Sequence, residues 1–395
     1  ELAIRGERDA SWIGLALVNS RSFDLAPLAL DLYDGLPGVA LFLAYLGKVT
    51  ESSRHTELAR AAVQAIRSQL PKARTFEKSV GAFSGWGGII HLCTHLGQLW
   101  NEDELLAEAH AIVDALPPLI AADRNLDIIG GVAGCALTLL NVHRITGSEP
   151  ALQGARLCGE RLVETAERQD IGVGWMTNVP APAPLAGFSH GVSGIAWALL
   201  ELAAVTGDRA YRELAHEALA YERTLFSAEH NNWRDIRSWS RTDSMTEKFQ
   251  YAWCHGAPGI GLSRMLMLRH LQDPVIRSEA RRALTSTLSH GIGGTHCLCH
   301  GALGNIDTVL LADQVFGKSG LGDEPVSRVL NDVATSGPRC ANPAGIESPG
   351  LMTGLAGIGY GLLRLAAPAI VPSVLTLAPP AATSREELLA IRLCS

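Results

Sequence analysis

The chain has 395 residues, of which 47% are apolar and 18% charged, a composition that excludes disorder and allows a large buried core. Its formal net charge of −7, without a run of Lys or Arg, gives no electrostatic basis for binding nucleic acid. The apolar stretch Ala366–Ala382 contains four prolines, so no segment is predicted to span a membrane. Eight dispersed cysteines and no signal peptide favour a reducing, cytoplasmic setting.

A four-residue pattern, Gly-x-x-Gly followed by an apolar run, occurs seven times along the chain. Successive copies are 45 to 65 residues apart, which is enough for two helices and their connections. The pattern therefore predicts a series of helical hairpins. The first glycines of the seven copies are Gly35, Gly85, Gly131, Gly191, Gly256, Gly301 and Gly354.

Each predicted hairpin combines two kinds of helix. The Gly-x-x-Gly precedes a nearly uncharged run such as 195–200, which predicts an inner helix buried on most sides. Charged amphipathic runs such as 56–67 and 208–219 predict outer helices. Seven such hairpins pack well as two concentric rings, so we predict an all-α fold, an α/α toroid of about seven inner and seven outer helices. An open solenoid is the competing architecture.

The residues just before the first glycines are predicted to cluster at one end of the ring, provided that the Gly-x-x-Gly turns begin the inner helices. Three of these seven residues are histidine, and cysteines precede two of the three. For most of the glycines themselves, close packing or turn geometry is the plainer explanation. The seven residues are Asp34, Ser84, Gly130, His190, His255, His300 and Thr353.

Cys254, Cys299 and His300 are the predicted ligands of one zinc ion, because zinc favours sulfur and nitrogen donors. Three protein ligands leave the fourth position open, as in catalytic zinc sites. The two cysteines are 45 residues apart, so the fold must assemble the site. Cys297 and His296 are the nearest alternatives, and the local sequence excludes neither.

Two thiolate ligands indicate what such a zinc does. With a neutral imidazole as third ligand the bound metal is formally neutral, which makes it a weaker Lewis acid than a site of three histidines. It suits deprotonation of an incoming thiol, whose ordinary pKa is about 8.5. Cysteines and histidines elsewhere on apolar helices are interpreted as core residues: Cys93, Cys135, Cys158, His91, His95 and His143.

Addition of a thiolate to an electron-poor alkene leaves an enolate, so a general acid should face the same cavity. His190 lies in the matching turn of the preceding repeat and is the candidate acid/base, and His255 is a second possible proton donor. Asp127 could orient the His190 imidazole, or it could cap a helix N-terminus. The loop Ser227–Gln250 is expected to be ordered near the metal because it contains Trp233, Arg234, Asp235, Arg237 and Trp239.

A set of motifs carries a family resemblance: the glycine series, the segments 253–256 and 299–301, and the closing segment 349–360. They resemble the LanC-like lanthionine cyclases over nearly the whole chain, and most closely the carboxy-terminal cyclase domain of class II synthetases, the bifunctional LanM enzymes. The resemblance implies an α/α toroid, one zinc on the three ligands above, and catalytic roles for His190 and Asp127. It also implies Michael-type addition of cysteines within a dehydrated precursor peptide, leader plus core, to make lanthionine or methyllanthionine rings.

Two positions depart from that family pattern. Stand-alone cyclases typically carry an arginine four residues before the first zinc cysteine and a tyrosine just after it, where this chain has Gln250 and His255. The departure shifts weight for the proton donor to His255. By the same resemblance, residues 1–395 are one cyclase domain, the C-terminal part of a larger synthetase whose dehydratase lies upstream. The first residue, Glu rather than Met, is interpreted in the same way.

The leading hypothesis is therefore a zinc enzyme of thioether formation. A non-catalytic, zinc-stabilised peptide-binding module is the alternative, and His190→Ala would separate the two, since a binding module has no turnover to lose. An α/α toroid glycosidase is disfavoured. Such enzymes use paired carboxylates and usually aromatic sugar platforms, whereas these turns present Cys and His and the aromatic content is 6%.

Overall fold

A computed structural model describes residues 2–19, 22–238, 248–317, 320, 322–342 and 345–381. Trp239 and Ala382, which the sequence interpretation included, lie outside the described residues. Over the described part the chain is mainly helical, with a few short strands. None of its described helices combines the length and the apolar character that crossing a membrane would require.

Seven of the described helices line the inside of the fold, and each begins directly after the first glycine of a Gly-x-x-Gly turn. They are α1 (Leu36–Thr50), α3 (Trp86–Trp100), α6 (Val132–Thr146), α8 (Val192–Thr206), α10 (Ala257–Met267), α12 (Ala302–Phe316) and α14 (Leu355–Ala366). Each contacts the next inner helix along the chain, and α14 contacts α1. The ring is therefore closed, which confirms the toroid and excludes the open solenoid.

The remaining described helices pack around this ring. They are α2 (Ser53–Phe76), α4 (Asp103–Val113), α5 (Pro117–Ala122), α7 (Glu149–Glu164), α9 (Arg209–Arg223), α11 (Pro274–His290) and α13 (Asp323–Ser336). All except the short α5, which packs on α7, contact the inner helix that precedes them. After α14 the described chain continues in turns to residue 381, so within the described residues six hairpins have their own outer helix.

Short antiparallel strand pairs lie at the edges of the ring. They are β1 (Ile4–Arg5) with β2 (Ala10–Ser11), β3 (Ile13–Asn19) with β4 (Ser22–Pro27), β5 (Glu167–Arg168) with β6 (Val173–Gly174), and β7 (Phe226–Ser227) with β8 (Asn232–Trp233). The pair β7–β8 precedes the turn that begins α10, and it matters for the site below.

The glycines of the turns allow the preceding loop to lie directly against the first turn of each inner helix. A Cβ atom on Gly256 would lie 1.8 Å from the carbonyl oxygen of Gln250, and the φ of Gly256 is +89°. A Cβ atom on Gly259 would lie 1.9 Å from the carbonyl oxygen of Trp253. Any larger residue would push the loop away from the helix, so turn geometry and close packing both account for the pattern.

A circle of backbone hydrogen bonds joins the seven turns to one another, near the position two residues before each first glycine. The N–H of Cys254 donates to the carbonyl of Cys299 at 3.3 Å, and the N–H of Cys299 donates to that of Met352 at 2.9 Å. The circle continues in the same direction and returns to Cys254. The N–H groups of Met352, Tyr33, Phe83, Ile128 and Ser189 donate, in that order, to the carbonyls of Tyr33, Phe83, Ile129, Ser189 and Cys254. Residues far apart in sequence are thereby held side by side at one end of the ring.

The chain after α14 fills the centre of the ring, and we call its segment 371–377 the central plug. The indole N–H of Trp253 donates to the carbonyl of Leu375 at 3.2 Å, and the side chain of Asn141 donates to the carbonyl of Leu377 at 2.7 Å. A ring of helices with an empty centre would lose packing contacts on its inner face. Part of the apolar stretch excluded as a membrane span therefore completes the core.

Candidate functional site

The three predicted metal ligands lie together at the turn end of the ring. The sulfur atoms of Cys254 and Cys299 and a ring nitrogen of His300 are all within 4.8 Å of one another. The two cysteines come from the turns before α10 and α12, which the backbone circle makes adjacent. His300 is exposed and Cys254 is half-buried, whereas Cys299 is buried. The cluster therefore opens to solvent on one side.

This donor set fits zinc. A tetrahedral zinc with bonds of about 2.3 Å to sulfur and about 2.0–2.1 Å to nitrogen places its ligand atoms about 3.5–3.8 Å apart. The observed separations, all within 4.8 Å, are close to these distances. Of the residues that the structure describes, these three form a group of His, Cys, Asp or Glu side chains close enough to hold a metal ion. The fourth position would face the exposed side.

The two alternative ligands are engaged elsewhere. The Nδ1 atom of His296 accepts a hydrogen bond from the backbone N–H of Arg339 at 3.0 Å, and its Nε2 atom lies 3.1 Å from the carboxylate of Asp332. The sulfur of Cys297 lies 3.6 Å from the Thr295 hydroxyl, and burial raises the pKa of this thiol to about 11. His296 thus packs against α13 and the chain that follows it, and neither side chain belongs to the cluster.

The two thiols of the cluster differ in their surroundings. The hydrogen bond with Cys299, together with the charges of Arg237 and His190, holds the pKa of Cys254 below its ordinary value. The same contact with Cys254 and burial raise the pKa of Cys299. The hydroxyl of Tyr33 donates to the sulfur of Cys299 at 2.9 Å, and burial raises the pKa of Tyr33. Cys254 is thus the readier thiolate of the pair.

His190 and Asp127 form a hydrogen-bonded pair, with 2.6 Å between Nδ1 and Oδ2. The carboxylate is buried and also accepts the N–H of Gly130 at 2.8 Å, whereas the imidazole is 27% exposed. A carboxylate at Nδ1 favours the tautomer that leaves Nε2 able to accept a proton. The capping interpretation applies to another residue, because Asp123 accepts the first amide of α6, that of Val132, at 3.1 Å.

His255 lies beside His190, with ring centroids 5.9 Å apart and an interplanar angle of 28°. It is buried, and its Nε2 atom has no hydrogen-bond partner in the described part of the chain. Burial, followed by the charges of Arg237 and His190, lowers the pKa of His255 to about 3. The structure places His255 next to the site, and its role as a proton donor stays a prediction.

Arg237 is a cation at the site to which the motifs assigned no role. Its guanidinium donates two hydrogen bonds to the carboxylate of Asp235, at 2.9 and 2.6 Å, and both side chains are largely buried. The hydrogen bond with Cys299 is the main cause of the lowered pKa of Cys254. Burial is the main cause for His255 and His300. The positive charge of Arg237 lowers all three pKa values further. A fixed positive charge therefore acts on the cluster from the loop before α10.

The position of that loop follows from the strand pair β7–β8. The side-chain oxygen of Asn232 accepts the first amide of α10, that of Ala257, and its amide group donates to the carbonyl of Gln250, both at 2.8 Å. The N–H of Asp235 donates to the carbonyl of Lys248, also at 2.8 Å. The expectation of an ordered segment near the metal ligands is confirmed for the described residues of this loop.

The comparison with known families is decisive for classification. Residues 26–376 match the family described as lanthionine synthetase C-like protein. The chain belongs to this family. Family membership agrees with the resemblance drawn from the glycine series and the two Cys-His-Gly turns.

Relatives of this lanthionine synthetase C-like chain support the same classification. It is 22% identical over 375 residues to the lacticin 481/lactococcin biosynthesis protein LcnDR2 of Lactococcus lactis subsp. lactis, covering 90% of this chain but 38% of that protein. The structure of nisin cyclase matches with a TM-score of 0.70 at 17% identity, over 88% of this chain and 92% of that one. An inactive variant of an α-1,6-mannanase from Salegentibacter sp. HEL1_6 matches with a TM-score of 0.52 at 12% identity, over 85% of this chain and 100% of that one. The two structural matches show a shared fold.

Proposed function

We propose that this chain is a zinc-dependent cyclase, which adds peptide cysteine thiolates to dehydroalanine or dehydrobutyrine and so forms lanthionine and methyllanthionine rings. One observation carries the proposal: the cluster of Cys254, Cys299 and His300 opens to solvent beside the hydrogen-bonded pair of His190 and Asp127. Three ligands leave a coordination position for a substrate, whereas a purely structural zinc is closed by four protein ligands.

Cys254, Cys299 and His300 would hold the metal, which would supply a deprotonated substrate thiol that is still nucleophilic. The remaining steps belong to the protein. His190, oriented by Asp127, accepts the thiol proton at Nε2. The thiol sulfur then bonds to the β-carbon of the alkene, and the enolate that results takes a proton at its α-carbon from the His190 imidazolium.

Arg237 supplies the charge that an enolate oxygen requires. A preorganised cation near developing negative charge stabilises it strongly, because the cation needs no reorganisation during the reaction. Asp235 holds the guanidinium in place. In the proposal, Arg237 therefore has the role of the arginine that stand-alone cyclases typically carry at the position of Gln250. His255 remains the second candidate proton donor.

We further propose that residues 1–395 are the C-terminal cyclase part of a bifunctional synthetase. The chain spans 38% of the length of LcnDR2, which leaves room in such a protein for an upstream dehydratase. That dehydratase would produce the dehydrated precursor peptide, leader plus core, that the cyclase uses. The cysteines in the described residues are all free, which fits a reducing cytoplasm.

The direct test incubates the zinc-loaded chain with a dehydrated, cysteine-containing precursor peptide and measures free thiols by alkylation and mass spectrometry. We expect the thiols to disappear without any change in peptide mass, because the addition is an isomerisation. His190→Ala is the matched control, and it should keep peptide binding while losing turnover. Equal alkylation with and without the wild-type chain would contradict the proposed reaction and favour a peptide-binding module.

A glycosidase is not favoured, although the mannanase shares the fold. The turns that carry chemistry here present thiols and imidazoles rather than paired carboxylates. Fold likeness at this level of identity does not transfer an activity.

A further inference from the structure

The hydrogen bond from Tyr33 to Cys299 joins the first turn of the ring to the sixth. The phenolic oxygen lies 2.9 Å from the sulfur, across a sequence separation of 266 residues. Tyr33 is in the turn before α1, and no motif singled it out as a site residue. The contact exists because α1 and α14 close the ring and bring the first turn next to those that carry the metal ligands.

The Tyr33 backbone is fixed on both sides, so its hydroxyl is aimed by the fold. Its N–H donates to the carbonyl of Phe83 at 3.0 Å, and its carbonyl accepts the N–H of Met352 at 2.7 Å. Met352 in turn accepts the N–H of Cys299. The phenol thus spans the intervening turn to reach the sulfur, and the same backbone circle holds donor and acceptor.

The contact makes the two thiols unequal. In the part of the chain that the structure describes, a side-chain hydroxyl donates to the sulfur of Cys299, and no such donor reaches the sulfur of Cys254. Cys299 is 4% exposed, whereas Cys254 is half-buried. A hydrogen bond to a ligand thiolate draws electron density from the sulfur, and partners of this kind orient metal ligands and tune the metal.

We propose that Tyr33 is a positioning residue of the metal centre, which holds the Cys299 sulfur in place and weakens its electron donation to the metal. Cys299 would then be the anchored ligand, and a bound metal would be a stronger Lewis acid toward a substrate thiol than one held by two thiolates without such a hydrogen bond. This inference rests on the proposed function, because it assumes that the three ligands hold a metal.

The test uses cobalt in place of zinc, because cobalt thiolate centres absorb through sulfur-to-metal charge transfer. Tyr33→Phe removes only the hydroxyl and keeps the ring. We expect the variant to bind one equivalent of cobalt and to shift the charge-transfer band to lower energy, since a thiolate without its hydrogen bond is a better donor. With zinc restored, turnover of a dehydrated peptide should fall about tenfold at unchanged KM.

Tyr211→Phe is the matched control, because the Tyr211 hydroxyl donates to the carbonyl of Arg156 on the outer helices, away from the ligands. An identical charge-transfer band in wild type and Tyr33→Phe would overturn the role of Tyr33, as would the same shift in Tyr211→Phe. The band is recorded without peptide, so wild type that binds cobalt but does not cyclise would contradict the proposed function alone. Wild type that binds neither metal would overturn both.

Discussion

In the turns before α8, α10 and α12 the residue ahead of the first glycine is a histidine, and in the turns before α1, α3, α6 and α14 it is Asp, Ser, Gly or Thr. We call the first group the histidine arc and the second the closure arc. Both share the Gly-x-x-Gly sequence pattern and belong to the same circle of backbone hydrogen bonds. They differ in what their side chains contact.

In the closure arc, the side chains of Asp34 and Thr353 join the first turn of the ring to the last. The carboxylate of Asp34 accepts the backbone N–H groups of Met352 and Thr353, at 3.1 and 3.0 Å, and the Thr353 hydroxyl at 2.5 Å. The histidine arc, by contrast, places Cys254 and His300 toward solvent. The same sequence pattern therefore carries ring-closing contacts at Asp34 and candidate metal ligands at Cys254 and His300.

The largest expected effect comes from removing a ligand in the histidine arc. Cys254→Ala should reduce bound zinc from about one equivalent to a trace and abolish cyclisation, because two remaining ligands hold zinc weakly. Metal analysis of the purified protein measures the change, and circular dichroism checks that the helices remain. Cys93→Ala, in the buried part of α3, is the control and should keep its zinc. Full zinc content in Cys254→Ala would contradict the assigned ligand set.

The next effect concerns proton transfer. His190→Asn should lower kcat by about 10²–10⁴-fold while zinc content is unchanged, because general acid and base catalysis contributes that much. His255→Asn should cost less, since that imidazole is buried and lacks access to a substrate at the open face. Single-turnover rates of the two variants show which imidazole transfers the proton. A larger loss in His255→Asn than in His190→Asn would reverse the assignment of the proton donor.

A smaller effect is expected at Arg237. Removing a direct donor to a developing oxyanion costs about 10²–10³-fold. We expect about tenfold for Arg237→Gln, because the guanidinium donates to Asp235 and would act on the cluster through its charge. Arg237→Lys should recover part of the rate, and zinc content should not change in either variant. Arg234→Gln, in the same loop, is the control. Equal rates for wild type and Arg237→Gln would remove the arginine from the mechanism.

The smallest effect on turnover is expected at Asp34. Asp34→Ala leaves two backbone N–H groups and a hydroxyl without their acceptor, so the free energy of unfolding should fall by about 1–3 kcal/mol. Turnover per folded molecule should change by less than about twofold, since the Asp34 carboxylate contacts Met352 and Thr353 rather than the cluster. Urea denaturation followed by circular dichroism measures the first quantity. A loss of zinc without a loss of stability would contradict the assignment of Asp34 to ring closure.

The same residue gives a pH dependence of stability. Burial raises the pKa of Asp34 from 3.8 to about 6. Between these two pH values the folded state keeps a proton that the unfolded state releases. The contribution of this group to stability is therefore greatest below its unfolded pKa of about 3.8 and declines as the pH rises to about 6. The stability difference between wild type and Asp34→Ala should be larger at about pH 5 than at about pH 8. A difference that grows with pH would show that the fold holds the pKa of Asp34 below, not above, its unfolded value.

Much of the fold was predictable because its determinants are local. A glycine at a helix start that tolerates no Cβ, as at Gly256 and Gly259, marks an inner helix without reference to the rest of the chain. The ligand candidates Cys254 and Cys299 followed from the equivalence of repeats. The central plug did not, because a proline-containing apolar segment gives no indication of which cavity it fills.

Sequence alone determined the repeat, the inner helices and the residue types offered at each turn. Only the tertiary structure brings Cys299 and His300 together with Cys254, because these residues come from different turns, and it places His296 against Asp332 and Arg339 instead. Likewise, Tyr33 and Arg237 reach the ligands only once seven turns close into a circle. Such contacts depend on the position of every intervening helix, and for this reason local patterns could not predict them.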